Sequence, residues 1–244
     1  MNNKEYTDLS EKVLTVYQYA EKIVNEGGFN KQVAYLKDLM ERKPFKTISV
    51  EQFFREYTWV VFTCGFKAAY VQKYWKNIKK MCCDFDIAKA KELSFEELLE
   101  VSPIKNKKKL KAIEQSCDII DECFIQKVHK IKDKDEAKDL FKILPFIGEI
   151  TVYHIMRNVG IDCFKPDRHI VHITKDLKIS EEDLFEIICS KYKEYIGVID
   201  YILWRASSTL YNIQPNLSLV EMALNGKRLD EIPRNDFMSG TFLF

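Results

Sequence analysis

An all-α fold is predicted by three features of this 244-residue sequence. Only 8 Gly and 6 Pro punctuate it, while Leu, Lys, Glu and Ile abound, a balance that favours helix over a turn-rich β architecture. Apolar residues recur at helical spacing through most of the chain. The one stretch whose aromatic and β-branched content would suit a strand, residues 49 to 62, has no second strand candidate to pair with.

The elements follow in order. Residues 4 to 26 place Leu9, Val13, Val16, Tyr17, Ala20, Ile23 and Val24 at helical spacing and stop at Gly27-Gly28. A second helix over 31 to 42 is closed by Pro44. Residues 49 to 62 are read as helix, and residues 67 to 81 form another after Cys64-Gly65. "FDIAKAKEL" and "SFEELLE" are short helices, the second opened by Ser94 with Glu97 three residues on, a capping-box pattern. Pro103 starts a long basic-to-apolar helix through about residue 128. Helices over 134 to 144, 149 to 159, 168 to 178, 181 to 193 and 196 to 212 complete about a dozen.

The length suffices for one large domain or two small ones. A chain 46% hydrophobic and 31% charged is built to fold, which excludes disorder. A formal net charge of +1 does not announce a nucleic-acid binder, although a local basic face remains open. The seven cysteines (64, 82, 83, 117, 123, 163 and 189) are scattered, with no CxxC pair and no Cys/His cluster at metal spacing. With no secretory signal at Met1-Asn2-Asn3-Lys4, they read as reduced thiols of a cytoplasmic protein. The longest apolar run, "WVVFTCGF", is too short to span a bilayer, so no membrane partner is expected.

The chemistry concentrates in "FKILPFIGEITVYHIMRNVGIDCFKPDRHIVHI", residues 141 to 173. Pro145-Phe146-Ile147-Gly148 is short enough to force a hairpin between two amphipathic helices, and Gly148 permits a positive φ or a close backbone approach. The second helix then offers unpaired N–H groups and a positive dipole end, a natural phosphate clamp. Pro166 ends any preceding helix, and Asp167 is placed to cap "RHIVHITKDL". A plain αα-hairpin and a merely structural capping Asp are the plainer readings of each part taken alone.

Together the parts resemble the helix-hairpin-helix DNA glycosylase superfamily. Leu144, Pro145, Ile147, Gly148 and Thr151 match its L-P-G-(V/I)-G-x-x-T-A hairpin, and Asp167 and His169 match the (V/P)-D-x-H segment that follows. "FFREYTWVVFTCGFKAAYVQKYWKNI", "SPIKNKKKLKAI" and "VIDYILWRASS" resemble flanking helices, so the likeness covers roughly residues 45 to 212. The resemblance implies a single two-lobed helical unit over residues 1 to 244, with the hairpin motif at about 134 to 160. One lobe would span about 50 to 130, and the N-terminal helices with about 131 to 244 would form the other.

It also implies roles. Asp167 would stabilise the oxocarbenium-like sugar and orient water, as carboxylates do in glycoside hydrolysis. Pro145, Phe146, Ile147, Gly148 and Thr151 would hold the DNA backbone, and Arg168 and His169 would contact DNA or support Asp167. Base flipping would draw on the loop after the first core helix: Thr63, Cys64, Gly65 and Phe66, with Phe66 a wedge candidate. Tyr57, Trp59 and Tyr70 are stacking candidates, and Trp204 lines the pocket or anchors its helix. Lys105, Lys107, Lys108, Lys109 and Lys111 form an acid-free run suited to phosphates.

Three departures narrow the expectation. Phe146 stands where the hairpin has its first Gly, Ile150 stands where bifunctional members carry the lyase lysine, and the cysteine cluster of the iron–sulfur members is absent. The implied protein is a monomeric, monofunctional base-excision enzyme acting on duplex DNA, with no cofactor beyond a monovalent cation at the hairpin. An alkylated purine is the first substrate expected. Oxidised guanine, a deaminated mismatched base and a hypermodified base of phage DNA stay open, and so does a non-catalytic DNA-binding module.

Overall fold

The computed structural model describes residues 3 to 215 and 217 to 227. The fold is all-α, as the sequence predicts: among the described residues there are fourteen α-helices, two 3₁₀ turns and no strand. In chain order the helices are α1 (Asn3–Glu26), α2 (Asn30–Arg42), α3 (Val50–Thr63), α4 (Ala68–Met81), α5 (Ile87–Ala90), α6 (Phe95–Val101) and α7 (Lys107–Ser116). They continue as α8 (Glu122–Lys130), α9 (Lys134–Lys142), α10 (Thr151–Asn158), α11 (Arg168–Leu177), α12 (Glu181–Tyr192), α13 (Ile196–Ile213) and α14 (Leu219–Leu224). They form two compact units. Among the described residues, one is the continuous stretch Glu41–Ile161, and the other joins residues 3 to 40 with those from 162 to 227.

The continuous unit is built around α3. Ser49 and Gln52 close a reciprocal capping box at its start, which satisfies two of the orphan donors of a helix N-terminus. Phe53, Phe54, Tyr57, Val60, Val61 and Phe62 are all buried. A helix covered on nearly every side needs apolar residues on every side, and that is why residues 49 to 62 carry strand-like composition. Phe53 meets the rings of Phe124 at 5.2 Å and Phe141 at 5.4 Å. Phe141 brings α9 into this unit, and the Phe45 N–H donating to the Val159 carbonyl at 2.9 Å ties in the end of α10. The division therefore falls after Ile161 rather than near residue 131.

The long helix expected from Pro103 to about 128 is two helices. Asn106 caps α7 through the Lys109 N–H, three residues beyond the proline. The chain turns at Cys117–Ile120, and Asp121 caps α8 by accepting from Phe124 N at 2.7 Å.

In the discontinuous unit, Val13, Val16, Tyr17 and Ala20 of α1 share a buried cluster with Val198, Ile199, Ile202 and Leu203 of α13. Phe164 stacks on Phe185 at 4.5 Å. Both α11 and α12 end on exposed lysines in the left-handed region, Lys178 (φ 60°) and Lys193 (φ 51°). A Cβ in that conformation costs about 1 kcal/mol, which glycine avoids. Lys178→Gly and Lys193→Gly are each expected to raise the melting temperature by about 2–4 °C, as calorimetry would read.

Candidate functional site

The turn between α9 and α10 is held from within its own unit. Ile147 is buried, and the Tyr57 hydroxyl donates to the Pro145 carbonyl at 2.8 Å, with the Ala112 carbonyl also 3.1 Å away. Thr151 Oγ1 accepts from the Gly148 N–H at 2.7 Å and so fastens the turn to the first residue of α10, whose own N-terminal N–H groups receive no side-chain cap. The residue with positive φ is Phe146 (φ 68°), not Gly148. A Cβ at Gly148 would meet nothing within 4 Å, so neither the positive φ nor the internal close approach expected of that glycine is found. Glu149 lies beside the turn with its carboxylate paired to Lys142 and 3.8 Å from Lys138 Nζ.

Phe146 offsets its backbone strain with a ring contact. The Lys109 ammonium lies 4.7 Å from its centroid and 5.2 Å from that of Phe66. Lys109 is only 3% exposed. Its amine donates to the carbonyls of Val61, Phe62 (3.4 Å) and Cys64 (2.5 Å), oxygens at the C-terminal end of α3 that lack continuing helix partners. Burial pulls its pKa below the ordinary lysine range. Lys109 is therefore a cap of α3 and not a phosphate contact, because its phase on α7 matches the buried Ala112 and Ile113 face. Lys105 caps the end of α6 through the carbonyls of Leu99 and Glu100 (2.6 Å for the latter). Lys107 and Lys108 are exposed, and Lys111 pairs with Glu114 at 2.5 Å.

The stacking candidates divide in the same way. Tyr57 is fully buried, and Trp59, buried too, packs edge-on against Trp75 at 5.0 Å. Both are core residues closed to a base: positions 53, 54, 57 and 60 face the same buried side of α3. Thr63 Oγ1 donates to the Trp59 carbonyl at 2.8 Å and Gly65 turns the chain with φ 77°. Phe66 and Phe146 each expose 37% of their surface. The turn and the loop after α3 thus meet at one buried ammonium.

Asp167 belongs to the other unit, at the end of a segment pinned to α13. Asp162 accepts the N–H groups of Ile196 (3.2 Å) and Gly197 (2.7 Å), capping α13 from outside its own sequence. Asp200 accepts from the Lys165 N–H at 3.3 Å. Gly197 lets the segment lie close, since a Cβ there would meet Met40 Cε at 3.2 Å and the Cys163 carbonyl at 3.4 Å. Asp167 Oδ1 then accepts from the N–H groups of His169 (2.9 Å) and Ile170 (3.4 Å), the capping arrangement expected of it. Its Oδ2 lies 3.8 Å from Lys165 Nζ.

Beside it, the Arg168 guanidinium stacks over Tyr211 at 4.7 Å, and His169 Nδ1 is 3.1 Å from Ser207 Oγ. Arg168, His169, His172, Ser207 and Tyr211 line a small cleft of about 50 Å³. Trp204 packs half-buried against the core of this unit, with Arg205 4.6 Å over its ring. Burial pushes the His169 pKa below 6.5, outweighing the Asp167 carboxylate. A histidine depressed in the folded state leaves the unfolded chain to bind the proton first. Its contribution is therefore complete above about pH 6.5 and is lost as pH falls through the folded value. NMR titration is expected to place His169 below the ordinary histidine value of about 6.5.

Asp162, Asp200, Ser207 and Tyr211 escaped the sequence reading. Asp200 left a signal, an acid inside the apolar run "GVIDYILW". The turn's carbonyl and hydroxyl oxygens are of the donor type that a hard cation takes. Among the described residues no group of three or more His, Cys, Asp or Glu could hold a metal, and no helix is long and apolar enough to cross a membrane. No family model, curated protein or solved structure matches the chain.

Proposed function

We propose that the protein is a monofunctional DNA glycosylase that hydrolyses the N-glycosidic bond of a damaged or modified base and leaves an abasic site. The observation that carries this reading is Asp167. One of its oxygens is fixed by two backbone N–H groups, and the other accepts from neither of them and lies 3.8 Å from the Lys165 ammonium. A carboxylate oriented in this way suits stabilisation of positive charge on a sugar, because it needs no reorganisation as the charge develops. It is the residue on which the resemblance to the glycosylase superfamily converges.

The turn at Pro145–Gly148 would hold the phosphate backbone, with Thr151 shaping it and Phe146 presented at its surface. Ile150 offers no amine for a Schiff base, so the product would be an intact abasic strand. A second reading, a DNA-binding module without catalysis, draws on the same carboxylate, since an N-cap fully accounts for the hydrogen bonds of Asp167 Oδ1.

The test is mass spectrometry of bases released from duplex DNA carrying alkylated, oxidised, deaminated or hypermodified bases, together with alkaline cleavage of the product strand. A released base with alkali-labile strands supports the enzyme. Tight duplex binding with no base released from any of the four supports the module.

A further inference from the structure

From residue 57 to residue 83 the sequence contains no Asp or Glu but five lysines, 67, 73, 76, 79 and 80. α4 occupies most of this stretch and is amphipathic in an unusual way. Its buried side is Val71, Ile78 and Met81. Along the edge of that buried side run aromatic rings at i, i+4 spacing, beginning with Phe66 just before the helix. Phe66 and Tyr70 have centroids 5.6 Å apart, and Tyr70 and Tyr74 5.2 Å apart. Phe66 is 37% and Tyr70 42% exposed, and Tyr74 is half-buried. Lys73 places its ammonium 5.5 Å from the Tyr74 centroid. Lys67, Lys76 and Lys80 are exposed, whereas Lys79 is 3.5 Å from Asp84.

We propose that the row Phe66–Tyr70–Tyr74, with Lys67, Lys73, Lys76 and Lys80 along it, is a binding surface for a single-stranded polynucleotide. Exposed rings take the faces of unpaired bases without regard to sequence, and lysines beside them neutralise the connecting phosphates. The tilt of the rings favours a single strand over a duplex. The Tyr70 and Tyr74 rings meet edge to face at 67° and Phe66 is tilted 32° from Tyr70, so bases lying on them cannot keep the parallel stack that a duplex requires. The charge fixes the class of occupant: an aromatic face without a single acid in 27 residues suits a polyanion. The surface lies wholly within the Glu41–Ile161 unit and does not depend on Asp167 acting on a sugar.

The experiment is fluorescence anisotropy of the full chain with labelled undamaged 12-mers at two salt concentrations. The probes are oligo(dT), oligo(U) and an oligomer of abasic residues with the same phosphates. The expected result is at least about tenfold tighter binding to a base-containing strand than to the abasic one. Tyr70→Leu should lose about tenfold and Tyr70→Trp should restore it, with unchanged melting temperatures. Lys73→Gln should reduce the salt slope by about 0.7. Preference for oligo(dT) or for oligo(U) assigns the source as DNA or RNA. Equal affinity for abasic and base-containing strands, or full binding by Tyr70→Leu, overturns the proposal. The abasic comparison needs no variant, and none of these probes carries a lesion, so the outcome is separate from that of base excision.

Discussion

Asp167→Asn is expected to lower base excision by about 10²–10³-fold, while the protein keeps its fold and its affinity for duplex DNA. Asparagine caps a helix as well as aspartate does, and its side-chain oxygen can keep the bonds that Asp167 Oδ1 accepts from His169 and Ile170. What is removed is the negative charge and its 3.8 Å pairing with Lys165. A pair of that length at a partly exposed site is worth at most about 1 kcal/mol, so the melting temperature should move by no more than about 4 °C. Asp167→Ala supplies the contrast, because it loses the cap as well and should cost about 1 kcal/mol more.

Two measurements therefore separate the two roles of one residue. Excision by the Asn variant at the wild-type rate would leave Asp167 a cap and nothing else. Loss of excision in the Asn variant with unchanged melting would attribute the chemistry to the charge. Should both variants lose duplex binding as well, the carboxylate would belong to the binding surface rather than to the reaction.

Much of the fold was legible because helices announce their ends locally. Ser94 with Glu97, Asp167 ahead of its helix, and the glycines at 27 and 28 were readable from type and spacing alone, and the structure uses each of them. Asp121 carried the same signal but stood inside an unbroken apolar periodicity, so α7 and α8 read as one helix. The candidate site was less legible because exposure is a tertiary property. The lysines of "KNKKKLK" look alike in sequence, yet one of them is buried under two rings and another closes α6. Tyr57 and Trp59 look like stacking residues until α3 proves to be covered on both of their sides. Phe146 in a left-handed conformation had no local signal, since its stability comes from an ammonium 37 positions away.

That ammonium carries the other large effect. Lys109→Met is expected to destabilise the protein by roughly 2–4 kcal/mol, lowering the melting temperature by about 4–16 °C. Methionine fills a similar volume but leaves the carbonyls of Val61, Phe62 and Cys64 without their shared donor. Phe66 and Phe146 would lose the cation that lies over both rings. With the contact gone, the positive φ of Phe146 has less to offset it, and the loop after α3 and the turn before α10 should both become protease-sensitive. The exposed pair Lys107 and Lys108 should behave oppositely. Changing both to Gln should leave melting unchanged and reduce the salt slope of any duplex binding by about 1.8, twice the increment for one phosphate contact. If instead Lys109→Met melts as the wild type does and alters only the salt slope, Lys109 faces phosphate in solution, and the link between turn and loop does not hold.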